Sequence, residues 1–316
     1  MSGTGDVNAG LGAPAHSLKQ NNKGAFMLGQ RVITAIILLA VLVAVVSIPN
    51  PAYFNCFVSL AAAAAFWEWL RLALPQTCQK KGIELVGGVA LFVLFVGGSV
   101  FLPKIMAGDA LYLSIFNNTG LFFVVLSALV WLLIIPVVLY RARLDSIGKN
   151  FLHAIFGFIT IVATWYAIIA MYFIHGAWFV FSYLILIWCA DIFAYFGGKH
   201  FGGEKLAPKI SPGKTRSGAL CGILASMIWM LASAFIDNSF SHFILKQSSI
   251  LLVPAVGLLL AVYSILGDLY ESLLKRRAGF KDSSNLLPGH GGAWDRLDSI
   301  LSVSPIAVLI WYLLIH

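Results

Sequence analysis

The chain has 316 residues, of which 60% are hydrophobic and 11% charged, with a formal net charge of +8, and its mean hydropathy is +0.90. A soluble domain carries about 25% charged residues, so a single water-soluble globule is excluded, and the long uncharged stretches require lipid as their solvent. The basic residues cluster between those stretches, which makes the positive charge a mark of membrane topology and of attraction to anionic lipid, not of nucleic-acid binding.

Residues 1–24 are rich in Gly, Ser, Asn and Ala and offer little to bury, so they read as a disordered cytoplasmic tail. The polar stretch is too long for a cleavable signal peptide, and no small-residue cleavage site ends the first apolar run. The remainder, 25–316, reads as one membrane unit. A crossing needs about 20 mostly apolar residues. Nine stretches qualify: 32–48, 52–70, 85–102, 120–139, 151–174, 178–196, 219–236, 250–269 and 299–315.

With the N-terminus placed in the cytoplasm, alternation puts 19 of the 21 Lys and Arg residues on the inner side and leaves Lys104 and Lys246 outside. A wrong span count would scramble that segregation. The expected fold is therefore an all-α polytopic transmembrane helix bundle of about nine spans, with a cytoplasmic N-terminus and an external C-terminus. The outer connections are short or bland: a Pro-Asn-Pro turn at 49–51, the segment 103–119, and a polar loop at 237–249. Trp67, Trp69, Trp178 and Trp311 fit interfacial belts. Glu68 reads as a partner for Arg71, outside the chemistry. Cys56, Cys78, Cys189 and Cys221 show no metal-like spacing, and three of them lie in apolar runs as small hydrophobes.

Two inner loops differ from the rest. Residues 197–218 read GGKHFGGEKLAPKISPGKTRSG, and 270–298 read YESLLKRRAGFKDSSNLLPGHGGAWDRLD. In the second, GHGG at 289–292 supplies a backbone that turns several N–H groups toward one point, the geometry of an anion nest. Lys275, Arg276, Lys281 and Arg296 stand around it as partners for phosphate oxygens, and His290 within the turn can donate to a phosphate. Asp282, Asp295 and Asp298 lie among these cations, the last two three residues apart and so on one helix face. Carboxylates beside an anion site make sense when a divalent cation is added, because Mg²⁺ binds through one or two carboxylates plus substrate phosphates. Asp268 ends the eighth span and Asp191 the sixth; a carboxylate within a span faces the bundle interior and marks a functional site. In the first loop SPGKT lacks the upstream glycine of a P-loop, since Pro208 stands five residues before Gly213. Ser211, Lys214 and Thr215 nonetheless offer hydroxyls and an ammonium to a phosphate chain. The remaining histidines discriminate little: His153 and His175 read as bundle residues, and His200 carries no assignment.

The run from Ser272 to Asp298, S-L-L-K-R-x₄-K-D-x-S-x₂-L-P-G-H-G-G-x-x-D-R-L-D, resembles the signature of bacterial-type phosphatidate cytidylyltransferases. AYFGGKHFG at 194–202 and KLAPKISPGKT at 205–215 are similar to the same family, so the resemblance covers at least 180–316, with the N-terminal half alike only in hydropathy. Ala293 departs from it, standing where the family has a larger apolar residue. The resemblance implies transfer of a cytidylyl group from CTP to phosphatidic acid in the membrane, with release of pyrophosphate, dependence on Mg²⁺ or a similar ion, and metal-centre positions at Asp268 and Asp295. Taken with the residue chemistry, the assignment is Lys281, Asp282, His290 and Arg296 to the transfer, and Ser211, Lys214, Thr215, Lys275, Arg276, Gly289, Gly291 and Gly292 to the nucleotide. Asp268, Asp295, Asp298 and Asp191 are assigned to the metal. The partners expected are CTP, phosphatidic acid and membrane lipid, with a homodimer open and nucleic acid excluded. The place is the bacterial inner membrane, with the site on the cytoplasmic face. Two other classes compete: another CTP-using lipid enzyme (a polyprenol kinase or an archaeal-type lipid cytidylyltransferase), and an anionic-metabolite transporter. The transporter would show repeats and polar groups near the midplane, whereas here they collect on one side.

Overall fold

The structure, a computed structural model, describes residues 33–34, 36–37, 39–48, 50–75, 78, 81–142, 151–289 and 291–316. The expected tail at 1–24 and His290 lie outside them. The described residues form an almost entirely helical bundle: α1 (helical in its described part of 33–47), α2 (Pro51–Ala73), α3 (Ile83–Met106), α4 (Ala110–Arg141), α5 (Phe151–His175), α6 (Ala177–Phe201), α7 (Arg216–Ser233), α8 (Phe240–Gln247), α9 (Leu252–Ala278) and α10 (Trp294–Ile315). Between α6 and α7 lies a small hairpin, β1 (Lys205–Ala207) and β2 (Ser211–Thr215). Among the described residues eight helices are long and apolar enough to cross a bilayer, one for each of the last eight stretches read from the sequence. The first stretch, 32–48, includes residues that are not described.

Local chemistry explains several boundaries. The Pro-Asn-Pro turn becomes a helix start: Asn50 accepts the Ala52 N–H at 3.0 Å and Pro51 takes the first helical position. The loop expected at 237–249 holds a helix instead, α8, capped by Ser239, which accepts from the His242 N–H at 3.0 Å. Phe240 and Ile244, four residues apart, bury one face of it, which a window tuned to long apolar runs does not register. Trp69 and Trp311, expected in interfacial belts, are 0% and 5% exposed and belong to the core. The cysteines are free thiols, Cys56 exposed and the other three half-buried, so none is a fully buried hydrophobe.

Lipid cannot satisfy a stray backbone carbonyl, so each proline inside a span needs a substitute donor. Pro136 has no N–H for the Leu132 carbonyl, and the Tyr263 hydroxyl donates to it at 3.3 Å. Pro305 likewise strands the Leu301 carbonyl, which Thr160 and Thr164 reach at 3.2 and 3.5 Å. Thr160 is itself held by the Trp131 indole N–H at 2.8 Å and by Ser127 at 2.8 Å. These contacts lock α4, α5, α9 and α10 together. The α6–α7 crossing is closer still. A Cβ at Gly218 would stand 2.5 Å from the Ala194 carbonyl and one at Gly222 2.4 Å from that of Ala190, so the backbones touch where only glycine fits.

Candidate active site

α9 and α10 both run on past their apolar stretches into what reads as loop, leaving only 279–293 irregular. That extension gives the acidic residues fixed positions. Asp268 and Glu271 sit one turn apart on α9. Asp298 faces them from α10, drawn in by a tight crossing at Gly267, whose Cβ would lie 2.6 Å from the Asp298 carbonyl oxygen and 2.4 Å from Ser302 Oγ. One carboxylate oxygen from each of Asp268, Glu271 and Asp298 lies within 4.8 Å of the others. Three carboxylates this close repel unless cations stand among them. Lys214 Nζ is 2.5 Å from Asp268 Oδ2, and Lys275 Nζ is 2.6 Å from Glu271 Oε2. Glu271 Oε1 is buried without a hydrogen-bond partner. An all-carboxylate set with one unmet oxygen suits a hard divalent cation such as Mg²⁺.

Asp191 flanks this trio from α6. It is exposed, and its charge interacts with those of Asp268, Lys214 and Arg296. Asp295 flanks it from the other side and is held by the protein: its oxygens accept from Lys275 Nζ at 2.7 Å, the Gly292 N–H at 2.7 Å, and the Ser283 N–H and hydroxyl, each at 3.0 Å. Lys275, expected at the nucleotide, thus bridges Glu271 and Asp295 inside the site. The nest expected at GHGG turns at least one of its N–H groups inward, that of Gly292, onto Asp295. Gly289 and Gly291 take φ of 75° and 83°, the left-handed region that favours glycine.

The hairpin carries SPGKT into the same place. β1 and β2 pair antiparallel, Lys205 opposite Thr215 and Ala207 opposite Ser211. β2 delivers Lys214 to Asp268, and the Ile210 carbonyl accepts from Arg276 Nε at 3.5 Å. The two inner loops therefore meet, as their shared chemistry suggests. Thr215 is buried and caps α7, its hydroxyl accepting from the Gly218 N–H at 3.1 Å. Arg216 pairs with Glu204. Lys281 and Asp282 stand exposed on 279–293, and Arg296 is exposed in the first turn of α10.

Sequence reasoning missed two acids. Glu271 lies three residues after Asp268, the same spacing that placed Asp295 with Asp298, and that rule could have found it. Glu68 does not turn to Arg71, which lies 5.1 Å from the Phe280 ring centroid. Its fully buried carboxylate accepts from Ser283 Oγ at 2.7 Å, Ser284 Oγ at 2.5 Å, Ala293 N at 3.0 Å and Trp294 N at 2.7 Å.

The sequence profile of the cytidylyltransferase family matches residues 29–314. A phosphatidate cytidylyltransferase of Haemophilus influenzae is 32% identical over 291 residues, covering 88% of this chain and 96% of its own length. One of Pseudomonas aeruginosa is 33% identical over 295 residues, 90% of this chain and 97% of its own. One of Bacillus subtilis reaches 41% over 156 residues, 47% of this chain. The first two likenesses extend well beyond 180–316, so the N-terminal half resembles these relatives in sequence as well as in hydropathy. Matched across nearly its whole length, and carrying an acidic trio where two cation-rich loops converge, the chain belongs to the cytidylyltransferase family.

Proposed function

We propose that the protein transfers the cytidylyl group of CTP to phosphatidic acid, yielding CDP-diacylglycerol and pyrophosphate within the membrane. The observation that carries this reading is the meeting of Lys214 with Asp268, Glu271 and Asp298 at one end of the spans. The arrangement gathers cations and carboxylates, which fits a reaction between two phosphate groups whose nucleophile is the lipid's own phosphate.

The second pKa of a phosphomonoester is about 6, so near pH 7 phosphatidate is mostly a dianion and needs no strong general base. One of its oxygens attacks the α-phosphorus of CTP, a new P–O bond forms, and the bond to the bridging oxygen of the β-phosphate breaks as pyrophosphate leaves. The barrier is the meeting of two polyanions. Lys214, Arg276, Lys281 and Arg296 neutralise the phosphates and the leaving group. A divalent ion held by Asp268, Glu271 and Asp298, with Asp295 and Asp191 flanking, supplies further charge neutralisation when bound. The diacyl tails stay in lipid while CTP enters from water.

The test of this reading is turnover by the purified full-length protein in mixed micelles with labelled CTP, Mg²⁺ and a panel of lipid phosphates and alcohols. Label in CDP-diacylglycerol with equimolar pyrophosphate is expected only with phosphatidate. Transfer of the γ-phosphate to a polyprenol would replace this reading with a lipid kinase, and transport without turnover would replace it with a carrier.

The site is proposed to lie on the cytoplasmic face of a bacterial inner membrane, a reading supported by the segregation of 19 basic residues against 2. Reporter fusions after Lys246 and at His316 are expected to read as external; a cytoplasmic signal from either would overturn the nine-span count. The hairpin and 279–293 share the triphosphate. Lys214→Ala is accordingly expected to raise the KM for CTP or lower kcat, with the KM for phosphatidate little changed. Unchanged CTP kinetics in both Lys214→Ala and Lys214→Arg would remove the hairpin from the site.

A further inference from the structure

We infer that Glu68 is a positioning residue for cytidylyl transfer, and that α2 thereby holds the catalytic loop from the opposite half of the chain. The inference rests on the functional reading above for its kinetic readout, but not for its structural one.

The residues at issue are far apart in sequence. Glu68 is near the inner end of the second span, and its partners Ser283, Ser284, Ala293 and Trp294 lie more than 200 residues later. A buried carboxylate is costly unless donors surround it, and here four donors converge on its two oxygens. Two of them are the N–H groups of Ala293 and Trp294 at the start of α10. Those are orphans that a helix must satisfy from outside, and α10 has no side-chain cap of its own. Glu68 therefore caps α10 from another helix, at the end where a negative charge is favoured. The other two donors are the hydroxyls of Ser283 and Ser284, so one carboxylate ties both ends of the irregular segment together.

Packing fixes the same joint. The Trp69 ring stacks on Trp294 with centroids 4.2 Å apart, and its indole N–H donates to the His153 carbonyl at 2.7 Å. A Cβ on Gly292 would lie 2.0 Å from Ser283 Oγ and 2.4 Å from Glu68 Oε2. The last glycine of GHGG, Gly292, is therefore glycine because Glu68 and Ser283 fill the space beside it.

The joint leads directly to the chemistry. Ser283 Oγ contacts both Glu68 Oε2 and Asp295 Oδ2, and Asp295 holds Lys275, which holds Glu271 of the acidic trio. Glu68 touches neither Lys275 nor the trio in this chain of contacts. It sets where the loop and the first turn of α10 stand, and so where Asp295, Arg296 and Asp298 are presented.

The test uses the full-length protein in nanodiscs with Glu68→Gln, Ser283→Ala and the double variant. Glutamine keeps the volume but has one acceptor oxygen for four donors. Glu68→Gln is expected to lower kcat roughly 10- to 100-fold, the effect that partners just outside a site have, while the KM for phosphatidate stays within about twofold and thermal unfolding remains cooperative. Because Glu68 and Ser283 act through one network, the double variant is expected to lose no more than the worse single one. Trypsin cleavage after exposed Lys281 is expected to accelerate in Glu68→Gln relative to wild type, a readout of loop anchoring that needs no turnover. If Glu68→Gln does not fold, Ser284→Ala, which removes one donor and leaves the carboxylate, is expected to show the same signs at smaller size. Wild-type kcat in Glu68→Gln, a loss that merely tracks the folded fraction, or multiplying losses in the double variant would overturn the inference. A wild-type protein inactive on CTP and phosphatidate would instead overturn the functional reading, and the cleavage rates would then decide the anchoring role alone.

Discussion

Asp268→Asn is expected to abolish cytidylyl transfer, with kcat falling at least about 10²-fold, the scale on which one preorganised electrostatic group acts in a water-poor site. Two consequences of the substitution add up. The trio loses a charged ligand, so a divalent ion binds more weakly. Lys214 loses its partner at 2.5 Å and is no longer aimed at the site. The divalent-cation activation curve separates these. A shift of half-activation to higher Mg²⁺, with partial recovery at saturation, marks loss of a ligand. Asp298→Asn is expected to show the same shift with Lys214 still paired. Near-normal turnover of Asp268→Asn at saturating Mg²⁺ would refute the placement of the ion.

Gly292→Ala carries the second largest expected effect, and the substitution is a single methyl group. The added carbon would meet Ser283 Oγ at 2.0 Å and both Glu68 oxygens at 2.4 and 2.5 Å, so loop or helix must move. Overpacking of this kind costs about 1–3 kcal/mol, and a shift of about 1 Å in the presenting loop costs about 10²-fold in rate. Gly98→Ala is the control. Nothing lies within 4 Å of its new Cβ and its φ is −60°. There alanine should raise helix stability by up to about 1 kcal/mol and leave turnover alone. Thermal unfolding and initial rates on the two variants check both halves of the expectation. Equal behaviour of the two would show that the joint at Gly292 is loose.

Much of this architecture is legible from the sequence because lipid imposes it. Long uncharged runs must be helices, so hydropathy locates each of the last eight spans, although α4 begins ten residues before the expected 120 and α9 ends nine after the expected 269. The same economy makes carboxylates in the spans conspicuous, and Asp268 and Asp298 do stand together. What sequence does not reveal is pairing across the fold. Glu68 looks like a neighbour of Arg71 because three residues separate them on one helix, whereas its donors come from the far end of the chain. Glu271 is hidden by sitting beside Lys275, which reads as a phosphate ligand when both are taken to lie in a loop. The continuation of α9 through both residues turns them into an ion pair inside the site. α8 is invisible for a different reason: eight residues with one buried face are too short and too polar to register as a membrane element. The hairpin too rests on tertiary contacts, since three- and five-residue strands have little stability alone.

The proline at 305 bears on how the protein is made. α10 leaves the ribosome after α5 and carries a carbonyl that hydrocarbon cannot solvate, a defect worth several kcal/mol if left bare. The hydroxyls that cure it, on Thr160 and Thr164, belong to a helix synthesised about 140 residues earlier and already resident in the bilayer. α10 is therefore unfit to drift as a lone span and is driven to dock against α5, bringing Asp295 and Asp298 with it. Docking and completion of the site become one event, and a chain whose α5 failed to insert would be left with an unsatisfied carbonyl in α10.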